Sequence, residues 1–299
     1  AMIVELACLA VILGFALFWS GRLVRPLGKL TKYLEEVQTE DEEQLMISDY
    51  AETEAISQAF NEIWGKMRVI DDSRQEFVSN VSHELKTPLT SMKVLADSLL
   101  AQGDVPAELY KEFMGDIAEE IERENKIIND LLSLVKMDKS AGTLNVSVVN
   151  INELLETILK RLRPIAAGQN IELVLESFRP VSAEVDEVKL SLALSNLVEN
   201  AIKYNKPEGW VHVSLNADHK YFFVRVEDSG IGIPEESLEH IYERFYRADK
   251  SHSREIGGTG LGLAITRNAV LMHRGAIKAH SKEGEGTVFT VRIPLMYIV

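Results

Sequence analysis

The spacing of hydrophobic residues changes once along this chain, near residue 142, and no other feature constrains its fold as strongly. Before that point apolar residues recur every three or four positions, the period of helices with one buried face. One stripe runs Leu23, Leu27, Leu30, Leu34, Val37 and a second runs Ile56, Ala59, Ile63, Met67, Ile70. A longer pair follows: Val78, Val81, Leu85, Leu89, Met92, Leu95, Leu99, then Ile117, Ile121, Ile128, Leu131, Leu132, Val135, with Gly103, Asp104 and Pro106 breaking the chain between them. Helices with such narrow stripes cannot bury them alone. A hairpin of two long helices exposes an apolar face unless two copies form a four-helix bundle. From Thr143 onward the apolar residues alternate: Leu144, Val146, Val148; Ile171, Leu173, Leu175; Val211, Val213, Leu215; Phe222, Val224, Val226; and 288–293. Helical stretches at 152–167, 186–204 and about 260–273 lie between them. The second half is therefore expected to be an α/β two-layer domain.

The N-terminus adds an unbroken apolar run of 14 residues, Leu6 to Trp19, followed at once by Arg22, Arg25, Lys29 and Lys32. A span needs about 20 apolar residues, so the run is short. Its flank has the positive-inside pattern, with Trp19 where an interface anchor belongs. The expectation is a transmembrane helix over 1–21, trimmed from a longer receptor, with its C-terminal end cytoplasmic. The chain of 299 residues carries a net charge of −14, which makes a nucleic-acid-binding surface a poor reading. Its single cysteine, Cys8, excludes an intramolecular disulfide framework and a multi-cysteine zinc site.

Four short segments carry chemistry. His83 lies on the face opposite the Val78–Leu99 stripe, with Glu84 beside it and Thr87 one turn along. An exposed imidazole is mostly neutral at pH 7 and is a usable nucleophile, although alone such a residue is ordinary surface. Asn196, Asn200 and Lys203, spaced four and three, share a helix face; amide oxygens suit Mg²⁺ and a lysine suits phosphates. Asp228 ends a strand and is followed by Gly230 and Gly232, an arrangement that lets backbone pass close to a flat ring while the carboxylate accepts from an exocyclic amine. Gly257 to Gly262 leads straight into a helix and leaves N–H groups free for phosphate. It matches neither the dinucleotide fingerprint nor the P-loop. The polar stretch from Arg244 to Ile256 reads as a lid over a nucleotide.

Together these residues resemble the sensor histidine kinases of bacterial two-component systems. The stretch Phe77 to Leu89 around His83 is similar to that family's phospho-acceptor box, Asn196 to Tyr204 to its N box, Asp228 to Pro234 to its G1 box, Phe245 to Arg247 to its F box, Gly258 to Gly262 to its G2 box, and Gly284 to Thr287 to its last glycine motif. The resemblance implies a HAMP-like relay at 22–70, a dimerisation and phosphotransfer domain at 71–141 and an ATP-binding sandwich of the Bergerat type at 142–299. Where a HAMP unit's second helix usually begins Glu-apolar-Gly, this chain has Glu52-Thr53-Glu54.

Carried over by position, His83 accepts the γ-phosphoryl group, Glu84 acts as base and Thr87 orients a water for dephosphorylating a partner. Asn200 holds Mg²⁺, with Asn196 and Lys203 along the phosphates and Tyr204 beside them. Asp228, with Gly230, Gly232 and Thr287, receives adenine. Arg247 meets phosphate or positions the acceptor, and Gly258, Thr259, Gly260, Leu261 and Gly262 form the phosphate loop. ATP and Mg²⁺ are the implied cofactors. The implied partners are a second copy of the chain, a response-regulator receiver domain and the bacterial inner membrane, with the catalytic part cytoplasmic and no direct nucleic-acid contact. In ATP hydrolases of this fold a glutamate precedes the metal asparagine by four residues. Asn196 stands there instead, and an amide is a poor base, which favours transfer to histidine over hydrolysis. A silent nucleotide-binding scaffold is the remaining alternative.

Overall fold

The computed structural model describes residues 6–20, 51–101, 106–139, 144–248 and 258–297. They divide into two units, Ala1–Ser79 and Asn80–Val299. In the first, residues 6–20 form helix α1, whose large apolar side chains are exposed. Among the described residues no helix is long and apolar enough to cross a membrane. The expected membrane helix over 1–21 is thus seen only as 15 helical residues, about 22 Å at 1.5 Å per residue, short of an apolar core about 30 Å thick. The stripe from Leu23 to Val37, and with it most of the HAMP-like 22–70 region, lies outside the described residues.

Helix α2 covers Ala51–Ala101. The stripe ending at Ile70 and the one starting at Val78, expected on separate helices, are therefore one continuous helix. No glycine or proline falls between 66 and 87 to end it. Pro88 sits inside α2 without terminating it. It leaves the carbonyl of Glu84 without its i+4 N–H donor, while Thr87 donates its hydroxyl to the carbonyl of His83 at 3.1 Å. Helix α3 covers Ala107–Lys139, directly after Pro106.

The expected α3 stripe is not the face that this helix buries. Ile121, Ile128, Leu132 and Val135 are exposed, whereas Leu134 and Met137, outside the expected stripe, are buried. These two pack with Ala193, Leu261, Ile265 and Ala269 of the α/β domain. The helix thus has one face spent within the chain and another free.

The α/β domain follows as β1 (Ser147–Asn150), α4 (Ile151–Gly168), β2 (Glu172–Ser177), β3 (Ser182–Val185), α5 (Glu187–Lys203), β4 (Trp210–Ala217), β5 (Tyr221–Asp228), α6 (Gly262–Met272), β6 (Ala276–Lys282) and β7 (Gly286–Pro294). Strands β3 and β6 have no counterpart among the expected alternations. β1 pairs antiparallel with β3. The main sheet has the order β2-β4-β5-β7-β6, with β2 parallel to β4 and the other pairs antiparallel. Period-2 alternation puts Val211, Val213, Leu215, Phe222, Val224, Val226, Phe289, Val291 and Ile293 on one face, all buried. Helices α4 and α5 supply the other layer through residues such as Leu155, Leu159, Leu194 and Leu197. This is the expected two-layer sandwich.

Two helix starts are fixed by side chains. Asn150 Oδ1 accepts from the N–H of Asn152 at 3.1 Å, capping α4. Asp186 caps α5 by accepting from the N–H of Lys189, and its other oxygen accepts from the Lys189 ammonium at 2.6 Å. The N–H of Asp186 in turn donates to Nε2 of His273, buried at the end of α6, whose Nδ1 bonds the carbonyl of Ala269. The start of α5 and the end of α6 are thereby locked together, and α5 carries the N-box residues.

Candidate functional site

A cavity of about 620 Å³ opens between α5, the β5 end, the loop before α6 and the side of α3. Because α5 presents Asn196, Asn200 and Lys203 on one face, all three line it, joined by Tyr204 at the helix end. Asp228, Gly232 and Thr287 form the wall at the sheet edge. Gly258, Thr259, Gly260 and Gly262 form the rim before α6, and Arg247 reaches in from the start of the expected lid. Lid residues 249–256, and Gly257 of the glycine loop, lie outside the described residues.

Asp228 is the best-defined group. Its Oδ1 accepts from the N–H of Gly230 at 2.9 Å and from that of Thr287 at 3.2 Å. Burial outweighs these bonds and pushes its carboxyl up to about 6. With Oδ1 held by backbone, its second oxygen remains to accept from a ligand donor. The neighbouring backbone leaves no room for side chains. A Cβ on Gly230 would lie 2.3 Å from the Tyr204 carbonyl, and one on Gly232, at φ +72°, would lie 2.2 Å from that of Lys282. Gly230 itself does not line the cavity; it positions Asp228. Ser281, between Thr287 and the N–H of Ile233, ties β6 into the same corner.

The opposite end is cationic. Burial first, then Lys126, Arg247 and Arg123, lower the Lys203 ammonium to about 8. Burial raises the Tyr204 phenol above its ordinary value. Asn196 donates its amide to the carbonyl of Gly262 at 3.2 Å, tying α5 to the start of α6. Leu261 does not line the cavity. It is fully buried, and its N–H donates to the Thr259 hydroxyl at 3.2 Å. It anchors the loop by packing.

His83 is exposed on α2 and is not part of the cavity wall, nor is Thr87. Glu84, however, is bound to it. Its carboxylate accepts from the Arg247 guanidinium at 2.7 Å. Arg247 is largely buried, and its Nε has no hydrogen-bond partner, so it retains a buried donor of the kind phosphate oxygens satisfy. Asn200 offers one neutral amide oxygen. That suits Mg²⁺, which keeps most of its shell as water and nucleotide phosphate, and a bound Mg²⁺ would neutralise phosphate charge there.

Among the lining residues that sequence reading gave no role are Lys126 and Asp130 from α3, outside every motif, and Glu199, within the N-box stretch of α5. Lys126 pairs with Glu199 at 3.1 Å, and Asp130 accepts the Thr259 hydroxyl at 2.8 Å. On sequence they are ordinary helix-surface charges. The only signal is the four-residue spacing of Lys126, Asp130 and Leu134.

The family described as the histidine kinase-, DNA gyrase B- and HSP90-like ATPase matches residues 185–296. The family described as the His Kinase A (phospho-acceptor) domain matches residues 73–140. Sensor protein kinase WalK of Staphylococcus epidermidis is 39% identical over 228 residues, covering 75% of this chain. The chain spans 37% of the length of that relative. Among solved structures, histidine kinase ThkA in complex with response regulator protein TrrA shares the fold, with a TM-score of 0.60 and 24% identity over 77% of this chain and 66% of that one. Full-length ShkA in complex with AMPPNP aligns with a TM-score of 0.56 and 25% identity, over 75% of this chain and 46% of that one.

Proposed function

We propose that this chain, which belongs to the two-component sensor histidine kinases, transfers the γ-phosphoryl group of ATP to His83 and passes it to an aspartate of a receiver domain. One observation carries the assignment of the acceptor: Glu84, the neighbour of His83, is held by Arg247 of the cavity. Asp228 accepts from the adenine amine. Lys203, Arg247 and the glycine-loop N–H groups meet the phosphates, and Asn200 would hold the Mg²⁺ that offsets their charge. One imidazole nitrogen attacks the γ-phosphorus with its lone pair, and the bond from that phosphorus to the bridging oxygen breaks, leaving ADP. The proton on the other ring nitrogen passes to Glu84 once Arg247 has moved to the phosphates. Such transfer relies on positioning and charge neutralisation, which these residue types supply.

Asn196 supports transfer over hydrolysis, because its amide donates to the Gly262 carbonyl and cannot serve as a base for water. Thr87, one turn beyond His83, orients a water when the kinase dephosphorylates its partner. The exposed stripe Ile121, Ile128, Leu132 and Val135 on α3 supports pairing with a second copy of the chain. The apolar run to Trp19 and the cations after it support attachment to the bacterial inner membrane, with the catalytic part cytoplasmic.

The test is labelling with γ-labelled ATP and Mg²⁺, followed by a chase with receiver domains. Wild type should acquire acid-labile label that moves to a receiver, and His83→Gln should acquire none. Equal labelling of His83→Gln would refute the assignment.

A further inference from the structure

We infer that Lys126, on the phospho-acceptor hairpin, is a positioning residue for the terminal phosphates, so that the nucleotide site is completed by α3 as well as by the α/β domain. The inference rests on the nucleotide reading above and adds to it a residue outside the ATPase motifs.

The geometry comes from one face of α3. Lys126, Asp130, Leu134 and Met137 follow one another at spacings of four, four and three, and therefore lie in a row. At the lower end, Leu134 and Met137 are buried against Ala193, Leu261, Ile265 and Ala269. One turn up, Asp130 accepts the Thr259 hydroxyl at 2.8 Å and pins the glycine loop to the helix. The next turn carries Lys126 to the cavity wall. Its position is thus fixed by two anchors below it.

The surroundings fit an anion. Lys126 joins Lys203 and Arg247 on the wall, and its charge is the largest electrostatic contribution, after burial, to the lowered affinity of Lys203 for its proton. Cations on one wall disfavour each other's charge, and an anion bound among them relieves this. Asp228 and Thr287 mark the opposite, adenine-binding end. The carboxylates facing Lys126 are Asp130, occupied by Thr259, and Glu199, 3.1 Å from its ammonium. The Lys126–Glu199 pair is well exposed at the lysine, and such pairs contribute little. A polyphosphate can therefore take the ammonium from Glu199.

Two consequences separate this role from simple packing. The contribution of Lys126 should depend on how many phosphates the ligand carries, and removal of Glu199 should act in the opposite direction. Isothermal titration of the full chain with AMPPNP and with AMP, both with Mg²⁺, tests this. Lys126→Ala should weaken AMPPNP about tenfold, the worth of one charge-assisted contact, and leave AMP unchanged. Lys126→Arg should restore most of the loss, and Glu199→Gln should tighten AMPPNP. Unchanged AMPPNP affinity in Lys126→Ala, or an equal loss for AMP, would overturn the inference while leaving the nucleotide site intact. Absence of AMPPNP binding in wild type would instead remove the nucleotide reading, and this inference with it.

Discussion

Replacing Asp228 with asparagine should make the nucleotide-free protein more stable and a poorer nucleotide binder at the same time. Asparagine keeps the Oδ1 that accepts from Gly230 and Thr287, so the local fold is retained. It removes a carboxylate that burial pushes up to about 6 from its ordinary 3.8. A shift of about two pKa units corresponds to about 3 kcal/mol between the protonation states. Because the folded value lies above the unfolded one, the native state binds more protons between pH 4 and 6, and wild-type stability falls as pH rises through that window. Above it the asparagine variant should be more stable by roughly 1–3 kcal/mol, allowing for the cost of burying the amide. That gain should shrink toward pH 4. Binding changes the other way, because the outward oxygen becomes an N–H₂ facing the adenine amine. Loss of a hydrogen bond to a charged group costs about 1.5–3 kcal/mol, or roughly ten- to hundredfold in Kd. Denaturant midpoints and AMPPNP titrations between pH 4.5 and 8 read both effects. The ratio of variant to wild-type Kd cancels the titration of the nucleotide's own phosphates. It should collapse below pH 6 as the wild-type carboxyl protonates. A variant that is no more stable at pH 7.5 and binds AMPPNP as tightly as wild type would refute the reasoning.

Other expectations follow from single contacts. His273 is buried with its Nε2 accepting from Asp186, and burial lowers its affinity for a proton. Its contribution to stability should therefore be complete above about pH 6.5 and decline as pH falls below it; His273→Gln should flatten that part of the profile in denaturant melts. A Cβ at Gly286, where φ is +114°, would lie 2.0 Å from the Asp228 carbonyl. Gly286→Ala should displace the β7 start and abolish AMPPNP binding in titration, with far-ultraviolet circular dichroism retained. Leu197→Ala empties a fully buried position on α5 and should cost about 2–5 kcal/mol in denaturant unfolding.

How far the chain could be read in advance depended on how local each signal was. β4, β5 and β7 alternate large apolar residues with polar ones, and that pattern is enough to give both strand and buried face. β6 (Ala276–Lys282) offers only Ala276, Ile277 and Ala279 among Lys, His and Ser, and β3 is four residues long. Their places come from pairing with β7 and β1, which no local pattern records. The glycines around Asp228 and before α6 were legible because only glycine tolerates those close approaches. Leu134 and Met137 were not. They bury against residues more than fifty positions away, and on α3 a second, exposed apolar stripe dominates the periodicity. The ties Lys126–Glu199, Asp130–Thr259 and Glu84–Arg247 join residues 73, 129 and 163 positions apart. Each partner alone is a common surface residue or loop polar group, so only the folded chain brings them together.

The account stands on where the phosphoryl group goes. Peptide mapping by mass spectrometry at neutral pH, after incubation with ATP and Mg²⁺, locates it directly. A phosphoryl group on the His83 imidazole, absent from Asn200→Ala, is the expected result. A protein that demonstrably binds nucleotide yet carries phosphate elsewhere, or none, would contradict the account.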